Sequence, residues 1–390
     1  MTTFQLEPCL PSSSRKELDD LALALASKSR ELASQLRPEI RESIADLVRS
    51  MNCYYSNLIE GHNTHPRDID RALSERYSDD PKKRELQYEA RAHIEVQRLI
   101  DQGNDPDCSP YSSTHFQWIH REFYRRIPEE QRWIENPDTG RKVEIKPGEL
   151  RDGGVAVGDH IPPKAEELDE YLSRFEQAYT GAHLSNIQSI SAVAAAHHRF
   201  VWIHPFFDGN GRVARLMSHA TFKRIGMGDG VWSVSRGLAR SAETYKAKLK
   251  AADQRRQGDL DGRGARSEKA LVEFCEYFLS TSIDQVEFME DLLQPGELLR
   301  RMKLYCDDEM SAGRLPKRSM ALLKEALIMG QFERGRAPEI TGYQERKGRQ
   351  ILSELLNKGL LISTGPRNPV RLGFPLEVVE RWFPTLYPVN

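Results

Sequence analysis

The stretch His204-Pro-Phe-Phe-Asp-Gly-Asn-Gly-Arg-Val-Ala-Arg215 decides how the rest of this 390-residue sequence is interpreted. Its centre, Gly209-Asn210-Gly211, is too flexible and polar for the interior of a helix or strand, and the apolar residues after it recur at helical spacing. A helix is therefore predicted to begin at these glycines. Because the first N–H groups of a helix lack partners and carry the positive end of its dipole, the sequence predicts an anion site that suits a phosphate chain.

Four side chains of this stretch have chemistry suited to phosphates. Arg212 and Arg215 lie one helical turn apart, where two guanidinium groups can bind phosphoryl oxygens from one side. Asp208 is a hard oxygen ligand suited to Mg²⁺. His204 can accept a proton from an attacking hydroxyl, because the ordinary pKa of histidine is near neutrality. Each feature alone is common as a simple turn, a solvated arginine pair or a structural histidine, but the combination is specific.

The stretch resembles the signature of the Fic family, His-x-Phe-x-Asp/Glu-Gly-Asn-Gly-Arg-x-x-Arg, at every fixed position. The resemblance implies a mainly α-helical core with a β-hairpin flap, and an activity that most often transfers AMP from ATP to a protein hydroxyl. It implies that His204 is the general base and that Asp208 binds Mg²⁺. The residues implied to bind the ATP phosphates are Gly209, Asn210, Gly211, Arg212 and Arg215.

A second motif lies at the end of a helix that is predicted to begin at Pro38 and end at Gly61. Ser56 and Glu60 lie one turn apart beside its apolar stripe, so Glu60 can be held near the interior. The residues alone favour a solvated glutamate before a C-terminal glycine. Ser56-Asn-Leu-Ile-Glu60-Gly61 also resembles the inhibitory motif of Fic proteins whose inhibitory helix precedes the signature, which implies that Glu60 pairs with Arg215 and keeps it from the γ-phosphate of ATP.

Residues 142–163 predict a β-hairpin, because β-prone residues alternate with charges and glycines mark a turn before two prolines. An ordinary surface hairpin fits the residues as well as a functional one. The segment resembles the Fic flap, which aligns a target segment as an added strand. The resemblance places four flap residues close to the nucleotide: Val157, Gly158, Asp159 and His160. Tyr245 and Asp253 match family positions at the nucleoside end of ATP, although many relatives have Asn where Asp253 stands.

The composition indicates a globular protein long enough for two or three domains, with 39% hydrophobic and 29% charged residues and a net charge of −2. No run approaches the ~20 apolar residues that span a bilayer, and no basic segment precedes an apolar one at the N-terminus. We therefore expect a cytoplasmic location and no membrane contact. The five cysteines are scattered without a C-x-x-C pair, so we expect reduced thiols and neither a disulfide framework nor a zinc site.

Three segments are predicted: an N-terminal helical segment (1–105) with the inhibitory helix, a catalytic core (106–294) and a C-terminal domain (295–390). The last carries 16 Lys/Arg against 11 Asp/Glu, a net charge of +5. Its helices and two short strands resemble a winged helix, in which Gln344, Arg346, Lys347, Arg349 and Gln350 would face a DNA groove. Because +5 is only mildly basic, contact with DNA and contact with a protein both stay open, as does a homodimer.

Together these features predict a Mg²⁺-dependent protein adenylyltransferase that Glu60 inhibits. The flap would hold a target protein, and His204 would deprotonate a Tyr, Ser or Thr hydroxyl of that target or of the protein itself. The hydroxyl oxygen would then attack the α-phosphate of ATP. One alternative is hydrolysis of AMP from a modified protein, with Glu60 aligning water. Another is a nucleotide-sensing regulator that binds DNA without catalysis, against which the intact His204 argues.

Overall fold

The computed structural model describes residues 2–11, 16–135, 140, 142–180, 184–227 and 230–387, and in this part the chain is mainly helical, as predicted. The α-helices are α1 (Lys16–Gln35), α2 (Pro38–Ile59), α3 (Pro66–Leu73), α4 (Pro81–Asp101), α5 (Ser113–Tyr124), α6 (Leu168–Tyr179), α7 (Asn186–Ile203), α8 (Asn210–Arg224), α9 (Ser235–Arg240), α10 (Ala242–Ala252), α11 (Glu268–Leu293), α12 (Pro295–Ser311), α13 (Ser319–Met329), α14 (Ala337–Thr341), α15 (Glu345–Asn357) and α16 (Leu376–Trp382). The strands are β1 (Trp133–Glu135), β2 (Lys142–Glu144), β3 (Gln331–Phe332), β4 (Leu361–Ile362) and β5 (Val370–Leu372). No helix among the described residues is long and apolar enough to cross a membrane.

The chain folds into two compact units, and three helices, α1, α2 and α11, contribute residues to both. The described parts of the first unit are residues 2–11, 16–29, 52–135, 140, 142–180, 184–227 and 233–285. Those of the second are residues 30–51, 230–232 and 286–387.

The first unit is built around α7, whose middle turns are apolar and buried on every side. Ala194, Ala195 and Ala196 have no exposed surface, which is typical of a helix enclosed by others. Ser185 caps its N-terminus by accepting from the backbone N–H of Gln188. Helix α7 packs against α8 and leads directly into the signature stretch, so the catalytic candidates lie on a short, tightly held connection.

Residues 66–101 form two helices. Helix α3 ends at Leu73 and α4 begins at Pro81. Asp80 caps α4 by accepting from the backbone N–H groups of Lys82 and Lys83, and Pro81 occupies the first helical position. A proline with an aspartate before it starts a helix more readily than it continues one, so the charges between the two segments do not prolong α3.

The flap region contains less regular strand than predicted. Strands β1 and β2 pair antiparallel, with Ile134 opposite Val143, before the flap itself. Within residues 151–163 the pairing reduces to one bridge between Val157 and His160, closed by Gly158 with a positive φ of 57°. Glycine weakens a strand because it loses more backbone entropy than other residues and has no side chain to pack. The predicted turn is therefore present, but the two long paired strands predicted beside it are not.

The second unit contains a three-stranded antiparallel sheet in the order β3-β5-β4. Along the chain its elements follow as helix α13, strand β3, helices α14 and α15, then strands β4 and β5. Helix α15 buries Ile351, Leu352 and Leu355 and exposes its charged side. At Gly348 an added methyl group would lie 2.6 Å from Pro338 Cα, so the glycine permits close packing of α15 on α14.

Candidate active site

The loop between α7 and α8 is shaped by its backbone and by one asparagine. His204 ends α7 in the left-handed conformation, with φ 50° and ψ 62°. The Asn210 side chain accepts from Phe206 N at 3.0 Å and donates to Phe206 O at 2.9 Å. Because Asn210 closes the loop in this way, its side chain has a structural part in the site, and the nearby backbone N–H groups remain for an anion.

His204 is set up to accept a proton. Its Nδ1 lies 3.3 Å from Val201 O, and a carbonyl can only accept, so the neutral ring carries its hydrogen on Nδ1 and a lone pair on Nε2. Burial lowers the pKa of His204 to about 4. The imidazole is therefore neutral at physiological pH.

Arg151 joins the base of the flap to the loop between α7 and α8, which we call the catalytic loop because it carries the candidate base His204. Its Nε donates to His204 O at 2.8 Å and its Nη1 to Gly153 O at 2.9 Å, while Nη2 donates to Pro163 O. The Arg151 backbone N–H also donates to Pro205 O at 3.0 Å. The buried Arg151 side chain thus fixes both ends of the flap and the position of His204. No pattern in the sequence marks Arg151 for this part.

Asp208 is held ionised at the start of the turn. Tyr124 donates its hydroxyl to Asp208 Oδ2 at 2.6 Å, and Arg212 Nη1 lies 3.9 Å from the same oxygen. Burial would raise the pKa of Asp208, but the Arg212 charge and the Tyr124 hydrogen bond outweigh it and the pKa is lowered. At Gly209 (φ 79°) an added methyl group would lie 2.9 Å from the Tyr124 ring, so the turn requires glycine.

The donor set near Asp208 suits a magnesium ion. Across the described residues, no three His, Cys, Asp or Glu side chains come together in a way that could hold a metal ion. Mg²⁺ commonly uses one or two carboxylates and takes its other ligands from phosphates and water. Asp208 is ionised and its side chain is 47% exposed, so it fits this mode of binding.

Arg215 is paired with Ser56 in the last turn of α2 and with Glu60, which follows that turn. Its Nη2 donates to Glu60 Oε1 at 2.5 Å and to Ser56 O at 3.3 Å, and its Nε donates to Ser56 Oγ at 2.9 Å. Burial would raise the pKa of Glu60, but attraction to Arg215 and Arg212 outweighs it and the pKa is lowered. An ionised carboxylate therefore faces a buried guanidinium, in the geometry of a charge-assisted hydrogen bond.

The Glu60 carboxylate lies at the N-terminal turn of α8. A methyl group on Gly211 would be 2.5 Å from Glu60 Oε1 and 3.1 Å from Arg215 Nη1. Gly211 therefore leaves room for an anionic oxygen beside the helix terminus, and Glu60 occupies that room. The predicted anion site and the predicted inhibitory residue meet at one position.

Arg212 has a carboxylate partner that the sequence did not indicate. Its Nη2 donates to Glu89 Oε2 at 2.9 Å, and the same oxygen lies 2.7 Å from His62 Nδ1. The guanidinium also lies over the Phe123 ring, 5.3 Å from its centroid. His62 could have been identified as a site residue from the sequence, because it directly follows Gly61 of the second motif. Glu89 could not, because it is one of many charged residues on α4.

The two residues predicted at the nucleoside end of ATP, Tyr245 and Asp253, pack against α7. Tyr245 is buried and its hydroxyl is 2.7 Å from His197 Nε2, while Asp253 Oδ1 is 3.2 Å from His198 Nε2. Both residues therefore contact the histidine pair of α7. No contact joins either of them to His204 among those described.

The flap residues divide into one anchored side chain and exposed ones. His160 Nε2 lies 2.7 Å from Trp202 O, which holds the flap to the end of α7. Asp159 pairs with Lys250 at 2.5 Å, and both are largely exposed. Val157 is 42% exposed, so an apolar edge faces the solvent next to the catalytic loop.

Comparison with known proteins identifies the class. Residues 110–221 match the Fic/DOC family. The "Protein adenylyltransferase Fic" of Drosophila erecta is 42% identical over 82 residues, which are 21% of this chain and 17% of the relative, and that of Drosophila melanogaster matches to the same extent. This chain therefore aligns with only a small part of the length of its curated relatives.

Solved structures share the fold. A Fic family protein from Desulfovibrio desulfuricans G20 superimposes with a TM-score of 0.55 and 17% identity, covering 94% of this chain and 98% of that one. A Fic-1 variant from C. elegans gives 0.50 and 19%, covering 69% and 71%. Fold and signature thus define a helical protein with a Fic domain. Residues 110–221 belong to the Fic/DOC family.

Proposed function

We propose that this protein is an autoinhibited, Mg²⁺-dependent adenylyltransferase that transfers AMP from ATP to a Tyr, Ser or Thr hydroxyl of a protein. The observation that carries the proposal is the convergence of His204, with its lone pair on Nε2, and two arginines around the glycine-rich start of α8. The curated relatives are named protein adenylyltransferases, which supports AMP as the transferred group.

In the proposed reaction, the target hydroxyl gives its proton to His204 Nε2 as its oxygen forms a bond to the α-phosphorus. The bond between that phosphorus and the bridging oxygen breaks, and pyrophosphate leaves. The N–H groups of α8 and the side chains of Arg212 and Arg215 stabilise the phosphate charge. Mg²⁺ on Asp208, when bound, would neutralise part of that charge. Arg151 holds His204 in position through the His204 carbonyl.

Glu60 inhibits in this proposal because it takes the place of an anion. Its carboxylate engages Arg215 and occupies the space beside Gly211, so a γ-phosphate meets both an occupied guanidinium and a like charge. ATP that binds beside Glu60 is displaced from the in-line pose. Phosphoryl transfer depends strongly on that alignment, so a small displacement suppresses the reaction.

A second candidate, removal of AMP from a modified protein, is favoured by one observation. The Glu60 side chain is ionised and 33% exposed beside the anion site. A carboxylate in that place can align a water molecule toward a phosphoester. In this alternative Glu60 is required for activity, whereas in the transferase it opposes activity.

For the C-terminal segment we propose a winged-helix domain, with the division 1–105, 106–294 and 295–390 as functional segments. The order helix, strand, two helices and two strands, with the sheet order β3-β5-β4, supports it. The exposed basic residues Arg346, Lys347 and Arg349 on α15 would face DNA or a protein. Duplex affinity measured across salt concentrations tests the DNA alternative, because phosphate contacts weaken steeply as salt rises.

The experiment for the main proposal is incubation with ATP labelled at the α-phosphate. Wild type, Glu60→Gly, His204→Ala and the double variant are compared, and labelled protein is counted after electrophoresis. We expect strong labelling, including self-labelling, from Glu60→Gly alone. Equal weak signals from all four would overturn the transferase, and release of AMP from pre-labelled protein that needs Glu60 would establish the hydrolase instead.

A further inference from the structure

A buried chain of hydrogen bonds runs from helix α8 through helix α7 to helix α10. His197 Nδ1 lies 2.9 Å from Ser218 Oγ, and His197 Nε2 lies 2.7 Å from Tyr245 Oη. His197 has no exposed surface, and Ser218 and Tyr245 have 1% and 3%. Since Ser218 lies about one turn after Arg215 on α8, this closed polar cluster adjoins the arginine of the anion site.

The hydrogens in this chain have one order that satisfies every group. Burial, together with the Arg215 charge, lowers the pKa of His197 to about 3, so its ring is neutral and carries one hydrogen. Ser218 donates its hydroxyl to Ala214 O at 2.8 Å, so Ser218 Oγ accepts from His197 Nδ1. The lone pair on His197 Nε2 then accepts the Tyr245 hydroxyl. The Tyr245 oxygen keeps its lone pairs as acceptors for another donor.

Arg215 is a donor beside that oxygen. Burial raises the pKa of Tyr245, and the nearby Arg215 charge opposes the rise. A guanidinium can only donate, which suits a phenol oxygen whose own hydrogen is directed to His197. Both Arg215 and Tyr245 are buried, so the two side chains meet inside the first unit and not at its surface.

The other partners of Arg215 lie on the inhibitory motif itself. The guanidinium bonds Ser56 and Glu60 through Nε and Nη2, at 2.5 to 3.3 Å. These bonds do not use Nη1, which lies beside the space at Gly211 where an anion fits. Tyr245 lies on α10, outside the motif, so its oxygen keeps its place when Glu60 is displaced. An acceptor that fixes the plane of a guanidinium also directs its remaining N–H groups.

We infer that Tyr245 is a positioning residue for Arg215. Once Glu60 has left, the Tyr245 oxygen accepts an N–H of Arg215 and directs the guanidinium toward the γ-phosphate of ATP. His197 and Ser218 orient the hydroxyl for this part. The inference rests on the proposed function, in which Arg215 binds the γ-phosphate. It differs from the part that the family resemblance implies for Tyr245, which is a contact at the nucleoside end of ATP.

The test compares the affinities for ATP, ADP and AMP, measured by calorimetry in the presence of Mg²⁺. All proteins carry Glu60→Gly, which empties the place beside Arg215, and His204→Ala, which prevents turnover during the titration. In this background we expect Tyr245→Phe to weaken ATP binding about 10-fold, as for the loss of one hydrogen bond to a charged group. The affinities for ADP and AMP should stay unchanged, which also shows that the variant is folded.

Two further variants separate the hydroxyl chain from a general loss of packing. Ser218→Ala removes the acceptor that keeps the His197 hydrogen on Nδ1, so it should weaken ATP binding by a smaller factor and leave AMP unchanged. Tyr277→Phe is the matched control, because the Tyr277 hydroxyl lies 2.7 Å from Ser241 Oγ in the same unit. Its loss should leave all three affinities unchanged.

Removal of Arg215 gives the last comparison. In an Arg215→Ala background, Tyr245→Phe should add nothing, because the guanidinium that it positions is gone. An equal loss for ATP, ADP and AMP in Tyr245→Phe, or no loss for ATP, would overturn the inference and leave the proposed function standing. The proposed function fails separately if Glu60→Gly alone is not labelled at all by ATP labelled at the α-phosphate. The affinities need no transfer, so they would still decide whether Tyr245 positions Arg215.

Discussion

Replacing Glu60 by glutamine should have opposite effects on the free protein and on its complex with ATP. The substitution keeps the shape of the side chain and removes its charge. Arg215 then faces a neutral amide oxygen in place of the carboxylate at 2.5 Å, so it loses the ionic part of that hydrogen bond and keeps its two bonds to Ser56. A hydrogen bond to a charged group contributes about 1.5–3 kcal/mol, and since Glu60 is 33% exposed we take about 2 kcal/mol.

This energy sets both expected magnitudes. Without ATP, the variant should melt about 4–8 °C lower than wild type. With ATP, the γ-phosphate no longer competes with a carboxylate for Arg215, so the same 2 kcal/mol should make binding about 30-fold tighter. Saturating ATP should therefore raise the melting temperature more in Glu60→Gln than in wild type.

The assay is thermal melting monitored by fluorescence, with Mg²⁺-ATP titrated into each protein. Glu309→Gln serves as the control, because Glu309 forms a comparable pair with Arg314 at 2.7 Å in the second unit. Its affinity for ATP should equal that of wild type. If Glu60→Gln has the wild-type melting temperature and the wild-type affinity for ATP, then Glu60 does not compete with phosphate for Arg215.

Three further predictions concern the residues around the proposed base and metal ligand, all measured in the active Glu60→Gly background. Tyr124→Phe removes the 2.6 Å hydrogen bond to Asp208 and should raise the Mg²⁺ concentration for half-maximal labelling about 10-fold or more; an unchanged Mg²⁺ requirement would contradict it. The Arg151 guanidinium bonds the His204 carbonyl and two flap carbonyls, and Arg151→Lys loses most of these bonds. We therefore expect kcat to fall about 10- to 100-fold with little change in KM for ATP. A change in KM alone would instead assign Arg151 to ATP binding. Because burial lowers the pKa of His204 to about 4, the neutral base persists well below neutrality, and labelling should be level from about pH 6 to 8 and fall only near pH 4 to 5; an inflection near pH 6.5 would refute this.

Structural features that depend on neighbouring residues, such as helix ends and short motifs, were predictable from the sequence. Helix α2 begins at the predicted Pro38 and ends at Ile59, close to the predicted end at Gly61, because periodicity, proline and capping residues act locally. The pairing of Glu60 with Arg215 was expected from motif resemblance, and these residues are in contact. The start of α4 also has a local signal, because Asp80 caps the helix and Pro81 occupies its first position.

Contacts between single residues far apart in the sequence were not predictable. Tyr124 and Asp208 come from different elements, and so do Arg151 and His204. Neither pair produces a periodic pattern or a motif in the sequence, because a single hydrogen bond involves only one residue from each element. Such contacts follow from packing, in this case of α5 on α8 and of the flap base on the catalytic loop, and packing requires the assembled fold.

The two arginines of the anion site differ in how firmly their carboxylate partners are held. Glu89 is 15% exposed and also bonds His62, while Arg212 rests on the Phe123 ring. Glu60 is 33% exposed and follows directly after the last turn of α2. Since displacing a carboxylate is easier when water can solvate it, an incoming phosphate should replace Glu60 and leave Glu89 in place. Arg212 should then keep one position with or without ATP. Of the two arginines, only Arg215 should exchange its carboxylate partner for phosphate.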